Sequence, residues 1–457
     1  MKSLLGFSAC LLVALVPAAR SQEGTGTDSR ELAWTELRAN HASGSLVLSN
    51  VSLIDGTGAP PRLGSTIVVK DGKIAEIHDS DGREPPEGAT AVDLSGRFVI
   101  PGLMNGHVHL TAHRGDSTEL LRTILHRGVT AVRDLGGDTR SLAVLARDAR
   151  VGALEAPDIY YAATFFGPAF ARNPRVRFSS MGLEAGTAPW ARAATLDSDL
   201  AQLVAEAKGT GATGLKLYAS LEPQLIARIT EEAHRQGLKV WAHGTVFPSK
   251  PSEVLGAGVD ELVHIFLLYS EASGDPLPDT WTAGFGEWLA KQEHMGSSPR
   301  SDAQARLYAS MAARGTYVDT TLHVANRLAL LDEGAEPGWS PSAWRSMEAW
   351  NCEAMEAAHR AGVKLVAGTD YDGTLPIQEE MSLLVDCGLS PLEAIKAATL
   401  HVAETIGIEL THGSIEPGKV ADLVVLASDP LEDIDNTADV QLVMKAGRVY
   451  EPPKSVN

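Results

Sequence analysis

Six residues of this 457-residue chain could together hold divalent metal ions, and they share one placement. His107 and His109 flank Val108 in an apolar run; strand side chains alternate, so both imidazoles point to the same side. Lys216 lies in Gly214-Leu215-Lys216-Leu217-Tyr218, and His243 closes Val240-Trp241-Ala242-His243. His264 follows Leu262-Val263, and Asp370 closes Val366-Ala367-Gly368-Thr369-Asp370. Each of these runs reads as a short apolar strand with its polar residue near one end. Imidazole and carboxylate are ligands for divalent metals. Taken singly, each residue has a plainer use, since a lone strand-end histidine is more often just hydrogen-bonded. Lys216 is harder to place, because an ammonium in an apolar strand is costly to desolvate unless a carboxylate pairs with it. Six such residues at the same ends of five strands are not a chance pattern, and they read as a metal centre.

Holding them together requires strands that open onto one common end. Short strands are predicted at 98–110, 129–135, 158–163, 215–219, 239–243, 262–266, 317–324 and 364–368. Amphipathic helices at 119–127, 200–207, 224–235, 344–359 and 391–400 fall between or after them. Eight strands alternating with helices predict the α/β class, as a parallel (β/α)8 TIM barrel over 101–404. The segments 165–196 and 267–301 are too long for plain connectors. Both follow strands, so they should roof the C-terminal mouth and restrict it to small substrates. Strand-rich stretches at 45–100, with an Asp71-Gly72 hairpin signal, and at 405–452 bracket the barrel. They predict a small β-sandwich domain formed from both chain ends.

Composition narrows the function classes. There are 39 basic against 58 acidic side chains, a formal net charge of −19, and no Lys/Arg-rich run. Such a field repels phosphate, which excludes a generic nucleic-acid partner. A hydrophobic fraction of 44% excludes disorder as the main state. Lys2, the apolar stretch to Ala19 and the small residues of Ala19-Arg20-Ser21 read as a signal peptide over 1–21, followed by an extension over 22–44. The apolar run is shorter than a spanning helix needs, so a periplasmic or secreted protein with no membrane attachment after cleavage is expected. Removal of the peptide takes Cys10 with it. Cys352 and Cys387 are expected as free, buried thiols, because two cysteines are no disulfide framework for so long a chain.

Four longer motifs carry a family likeness: Val99-Ile100-Pro101-Gly102-Leu103-Met104-Asn105-Gly106-His107-Val108-His109, Gly128-Val129-Thr130-Ala131-Val132-Arg133-Asp134, Ala367-Gly368-Thr369-Asp370 and Gly413-Ser414-Ile415-Glu416-Pro417-Gly418-Lys419-Val420-Ala421-Asp422-Leu423-Val424-Val425-Leu426. With these, residues 45–451 resemble the amidohydrolase superfamily. The sequence around Lys216, and the helix leading into 238–243, is similar to its imidazolonepropionase-like and prolidase-like branch of binuclear metal-dependent hydrolases. The resemblance implies that His107, His109 and Asp370 hold one metal and His243 and His264 a second. It implies that Lys216, carboxylated by CO2, bridges the two as a carbamate. Zinc suits these ligands best, with manganese, iron and cobalt left open. Two such ions generate hydroxide from water near neutral pH, and Asp370 is implied as the catalytic general acid/base that passes a proton to the leaving nitrogen. The chain departs from the pattern in two places. Many relatives carry two histidines at the end of strand five, where only His243 stands, and Trp241 sits where they often have a small residue.

The function implied is an exported amidohydrolase cleaving an amide or peptide bond in a small-molecule substrate, of dipeptide or N-acyl amino acid type. A cyclic-amide hydrolase and a deaminase use the same barrel; a non-catalytic scaffold would have no need of the ligand set. A homo-oligomer is expected. Candidate substrate contacts are Tyr218, two residues past Lys216 on the same face, Arg133 at the end of strand two, and His323 near the end of strand seven. Arg172, Arg175 and Arg177 lie on the long third loop and could pair with a carboxylate.

Overall fold

The structure is a computed structural model that describes residues 45–113, 115–272, 277–278, 298–329 and 341–450. The expected signal peptide and extension lie outside these residues, as does most of 267–301. Among the described residues, no helix is long and apolar enough to cross a membrane.

Both chain ends build one sheet, as expected. Its hydrogen-bonded order is Arg448–Tyr450, Val440–Lys445, Leu423–Leu426, Phe98–Pro101, Leu46–Leu53, Arg62–Lys70 and Lys73–Asp79, with Thr90–Asp93 also paired to Leu46–Leu53. Pairing is antiparallel except where Leu46–Leu53 runs parallel to Thr90–Asp93 and Phe98–Pro101. Leu48, Val51, Ile67, Val99, Leu423, Val425 and Met444 form its buried core. Lys445 ties this domain to the barrel by an ion pair with Asp158 at 2.7 Å.

The barrel strands, in order, are Leu103–Val108, Val129–Asp134, Asp158–Phe166, Gly214–Leu217, Lys239–His243, Glu261–Val263, Tyr317–Asp319 and Leu365–Val366. Neighbours pair in parallel from the first to the eighth. The ring closes where Gly106 N–H donates to Ala367 O at 2.9 Å and Val108 bridges Tyr371. Helices start where the sequence supplies a cap: Asp116, Asp138 and Asp199 each accept a backbone N–H of the first turn.

Two predicted strands are divided. The 98–110 run splits at Gly102, where a Cβ would lie 2.2 Å from Thr130 Oγ1; Phe98–Pro101 stays in the small sheet and Leu103–Val108 enters the barrel. The 317–324 run ends at Asp319, and helix Leu322–Ala329 follows. The reason lies in Glu380, a buried carboxylate on helix Ile377–Asp386. It accepts the N–H groups of Leu322 and His323 at 2.9 Å each, satisfying donors at the start of that helix. His323 therefore sits on a helix.

Trp241 fills the interior of the barrel and leaves the mouth untouched. It is fully buried, donates from Nε1 to Thr405 O at 3.1 Å, and a Cβ on Gly214 would lie 2.5 Å from its ring. Arg133 lies over the indole at 4.8 Å. Cys352, on helix Pro341–Arg360, is disulfide-bonded to Cys387, with Cα atoms 4.8 Å apart. That overturns the expectation of free, buried thiols. Both residues are half-buried, and the helices before and after strand eight bring them together across 35 residues of sequence.

Candidate metal centre

Four histidine rings meet at the mouth of the barrel. Ring centroids lie 5.2 Å apart for His107 and His109, 5.0 Å for His107 and His264, and 5.0 Å for His243 and His264. In all four, Nδ1 is held by a different partner. His107 Nδ1 meets Asp319 Oδ2 at 2.6 Å, and His109 Nδ1 meets Gly136 O at 3.0 Å. His243 Nδ1 meets Tyr218 O at 2.8 Å, and His264 Nδ1 meets Thr321 Oγ1 at 2.9 Å. Carbonyl and carboxylate acceptors place the proton on Nδ1 and leave Nε2 as a lone-pair donor, the arrangement of metal-bound imidazoles. The Nε2 atoms of His109, His107 and His264 lie 2.9, 3.1 and 3.7 Å from the Asp370 carboxylate. His107, His109 and Asp370 form a set whose ligand atoms all lie within 4.8 Å of one another.

Lys216 completes the constellation. Its side chain is fully buried and its Nζ has no hydrogen-bond partner among the described residues. Burial pushes its pKa down to about 7, against the pull of Asp319, Asp370 and Glu261. An orphaned amine beside carboxylates and imidazoles is poor packing for its own sake, yet it fits a site whose lysine is carboxylated to bind cations.

The protonation states of His243, His264 and Asp370 suit ligands. Burial, with Lys216 and neighbouring histidines adding to it, holds His243 well below the usual imidazole range. Burial also dominates for His264 and holds it low, despite Asp370. At Asp370 burial favours the acid, but His107 and His264 outweigh it and hold the carboxyl well below the carboxylate range. Burial opposes protonation of His107, whereas Asp370 and Asp319 outweigh it and raise its pKa. The backbone is strained to reach this geometry: His264, Thr321 and Asp370 have φ of 67°, 42° and 46°, a region that favours glycine. Gly368 permits the close approach of strand eight, because a Cβ there would lie 2.6 Å from that of His107.

The expected substrate contacts fare differently. Tyr218 borders the cavity above the metal centre, but its hydroxyl donates to Leu135 O at 3.3 Å. Arg133 is no substrate contact. It is fully buried within the barrel, bonded to Glu261 at 2.6 and 2.7 Å, to Gly106 O at 2.6 Å and to Thr405 Oγ1 at 3.0 Å. The polar strand end suggested a mouth residue, but an inward-facing guanidinium needs a buried counter-charge, and Glu261 supplies one. His323 also falls outside the cavity lining, with Nδ1 at 3.5 Å from Glu379. Of the loop arginines, neither Arg172 nor Arg177 lines the cavity; the side chain of Arg175 lies outside the description.

Sequence reasoning missed the residues that orient the ligands. Asp319 ends strand seven as Asp370 follows strand eight, and that shared position was the available signal. Asp134 accepts from Leu110 N at 2.7 Å and Gly136 N at 3.0 Å, fixing the loop whose carbonyl holds His109. Thr321 carried no signal, because its role depends on the helix start set by Glu380.

The cavity has a volume of about 600 Å³. His109, Asp370, Gly136 and Tyr218 border it near the metal centre, and the 165–196 segment supplies Phe166, Phe170, Val176 and Phe178. That segment therefore covers part of the mouth, as expected.

Comparison with known proteins agrees with this architecture. Ochratoxinase from Aspergillus niger is 25% identical over 456 residues, covering 88% of this chain and 85% of that protein. Imidazolonepropionase from Pseudomonas putida (strain GB-1) is 25% identical over 370 residues, covering 79% and 86%. The crystal structure of a Xaa-Pro dipeptidase with methionine in its active site has a TM-score of 0.68 at 21% identity, covering 89% of this chain and 100% of that one, which shows the shared fold. The sequence pattern of the amidohydrolase family matches residues 98–450, from the strand that links the two domains to the last strand of the small sheet. The chain belongs to the amidohydrolase family and is a hydrolase.

Proposed function

We propose that the protein is an exported, binuclear metal-dependent amidohydrolase that cleaves an amide or peptide bond in a small substrate of dipeptide or N-acyl amino acid type. One observation carries this reading: four imidazoles with anchored Nδ1 atoms and an ionised Asp370 converge beside a buried lysine whose Nζ has no hydrogen-bond partner among the described residues. His107, His109 and Asp370 would hold one ion, and His243 and His264 the other. A pKa of about 7 leaves Lys216 a large neutral fraction at neutral pH, the form that adds to CO2. The resulting carbamate is anionic and bidentate, suited to both ions. Zinc is the best match to these ligands. When bound, such ions lower the pKa of a water and polarise a carbonyl oxygen. Asp370, held ionised, takes the proton of the attacking water and hands it to the departing nitrogen. Asp319, Gly136, Tyr218 and Thr321 keep the imidazoles turned inward while this happens.

The names of the relatives support amide or peptide cleavage, and the dipeptidase supports small peptides. A deaminase reading leaves Lys216 without a role. The Cys352–Cys387 disulfide supports an oxidising compartment outside the cytoplasm. Metal analysis of purified protein should find about two equivalents, and a library of dipeptides and N-acyl amino acids should contain substrates. Protein without metal, and without hydrolysis after zinc or manganese is supplied, would refute the proposal.

A further inference from the structure

The cavity wall nearest the metal centre is aromatic and continuous. Phe166 and Phe170 have ring centroids 5.6 Å apart, and Phe170 stacks on Tyr218 at 5.7 Å. Tyr218 in turn lies 4.6 Å from the ring of His243. A path of rings thus leads from the 165–196 segment to a metal-site histidine. The Tyr218 hydroxyl is committed to Leu135 O, so the ring is what borders the cavity. Val176 extends the wall, and Phe178, 53% exposed, forms its outer rim. No lysine or arginine with a described side chain lines the cavity.

We infer that this wall binds a bulky aromatic or branched apolar group carried next to the bond that is cleaved. The substrates are then amides of aromatic or large aliphatic amino acids, in preference to small or anionic ones. The inference rests on the hydrolase reading and sharpens it. An apolar wall rewards each buried methylene, whereas an anionic side chain there would lose its hydration with no lysine or arginine described to pair with it and with Asp370 and Asp372 on the same cavity. Moving a phenyl group from water onto such a wall corresponds to roughly tenfold or more in kcat/KM over a methyl group.

Matched dipeptides and N-acetyl amino acid amides bearing Phe, Leu, Ala, Lys or Asp beside the scissile bond, assayed with the metal-loaded enzyme, test this. Phe and Leu should exceed Ala by at least about tenfold on one side of the bond, with Asp lowest. Hydrolysis with a flat profile, or one led by Ala, Lys or Asp, would overturn the inference and leave the hydrolase reading intact. Equilibrium binding of 3-phenylpropionate against propionate decides it even if no amide is turned over. The aromatic acid should bind at least about tenfold more tightly, and equal affinities refute the wall. Phe170→Ala should shrink the Phe-to-Ala ratio with metal content unchanged. Phe178→Ala, at an exposed rim position that folding tolerates, should shrink it in the same direction.

Discussion

Replacing Lys216 with Met should make the metal-free protein more stable and the enzyme inactive. Burial lowers the lysine pKa from 10.5 to about 7, and at about 1.4 kcal/mol per tenfold this corresponds to about 5 kcal/mol. The sign follows from which state holds the proton. Between pH 7 and 10.5 the unfolded chain keeps Lys216 protonated while the folded chain does not, so stability rises with pH across this window. Below pH 7 the full cost is present, and above pH 10.5 it is gone. Lys216→Met removes the ionisable group and keeps most of the volume. The variant should therefore exceed the chelated wild type by about 3 kcal/mol at pH 8 and converge with it near pH 10.5. Denaturant titrations of both proteins in chelator and CO2-free buffer measure the difference directly. In metal-loaded preparations the same variant should retain little metal and lose roughly two decades or more of turnover, about 3 kcal/mol of transition-state stabilisation. Equal stabilities with parallel pH curves would show that Lys216 is not an unpaired buried amine. Two tightly held metals with near-normal turnover would sink its role as a bridging ligand.

Two further outcomes follow from the residues around the site. Asp319→Ala removes the acceptor of His107 Nδ1 and should lower metal affinity by roughly 10- to 100-fold, whereas Asp319→Asn keeps an acceptor and should fall in between; metal titration with a chromophoric chelator reads this, and unchanged affinity in Asp319→Ala refutes it. Cys352→Ser with Cys387→Ser opens a loop of 35 residues and should destabilise the protein by up to about 4 kcal/mol, visible as a lower denaturation midpoint under non-reducing conditions. Coincident midpoints would contradict the pairing.

Most of the barrel could be read from the chain because its strands are short apolar runs with caps and turns between them, each a local signal. The candidate ligand residues were legible for the same reason: placed at strand ends, they need only the barrel to bring them together. What the sequence hid depends on partners far away along the chain. Arg133 and His109 both sit at apolar strand ends, yet one pairs with Glu261 in the barrel interior and the other faces the mouth. The His107-Val108-His109 pair marks the latter, but nothing beside Arg133 shows that it turns inward to a residue 128 positions away. The place of Trp241 could not be read from its own strand, because it depends on the neighbouring one, where Gly214 vacates the space that the indole takes inside the barrel. The disulfide was hidden in the same way, since only the packing of two helices brings the sulfurs together.

Strand seven shows how much of a candidate metal centre can lie in residues that are not among its candidate ligands. It supplies none of the six candidate ligands, yet Asp319 orients His107 on strand one and Thr321 orients His264 on strand six. Both orienting residues belong to the stretch Asp319–His323 held by Glu380, which accepts from Thr320 Oγ1 at 2.6 Å and from the backbone of Leu322 and His323. Burial raises the Glu380 carboxyl to about 7, against those three donors. A buried carboxylate kept in so dry a place is costly, and an apolar residue would pack there at less cost, but it could not turn the chain into a helix immediately after strand seven. The turn is what sets Thr321 at a positive φ with its hydroxyl toward His264. The aim of two neighbouring imidazoles thus depends on one side chain outside the centre, and that dependence runs through backbone conformation more than through charge.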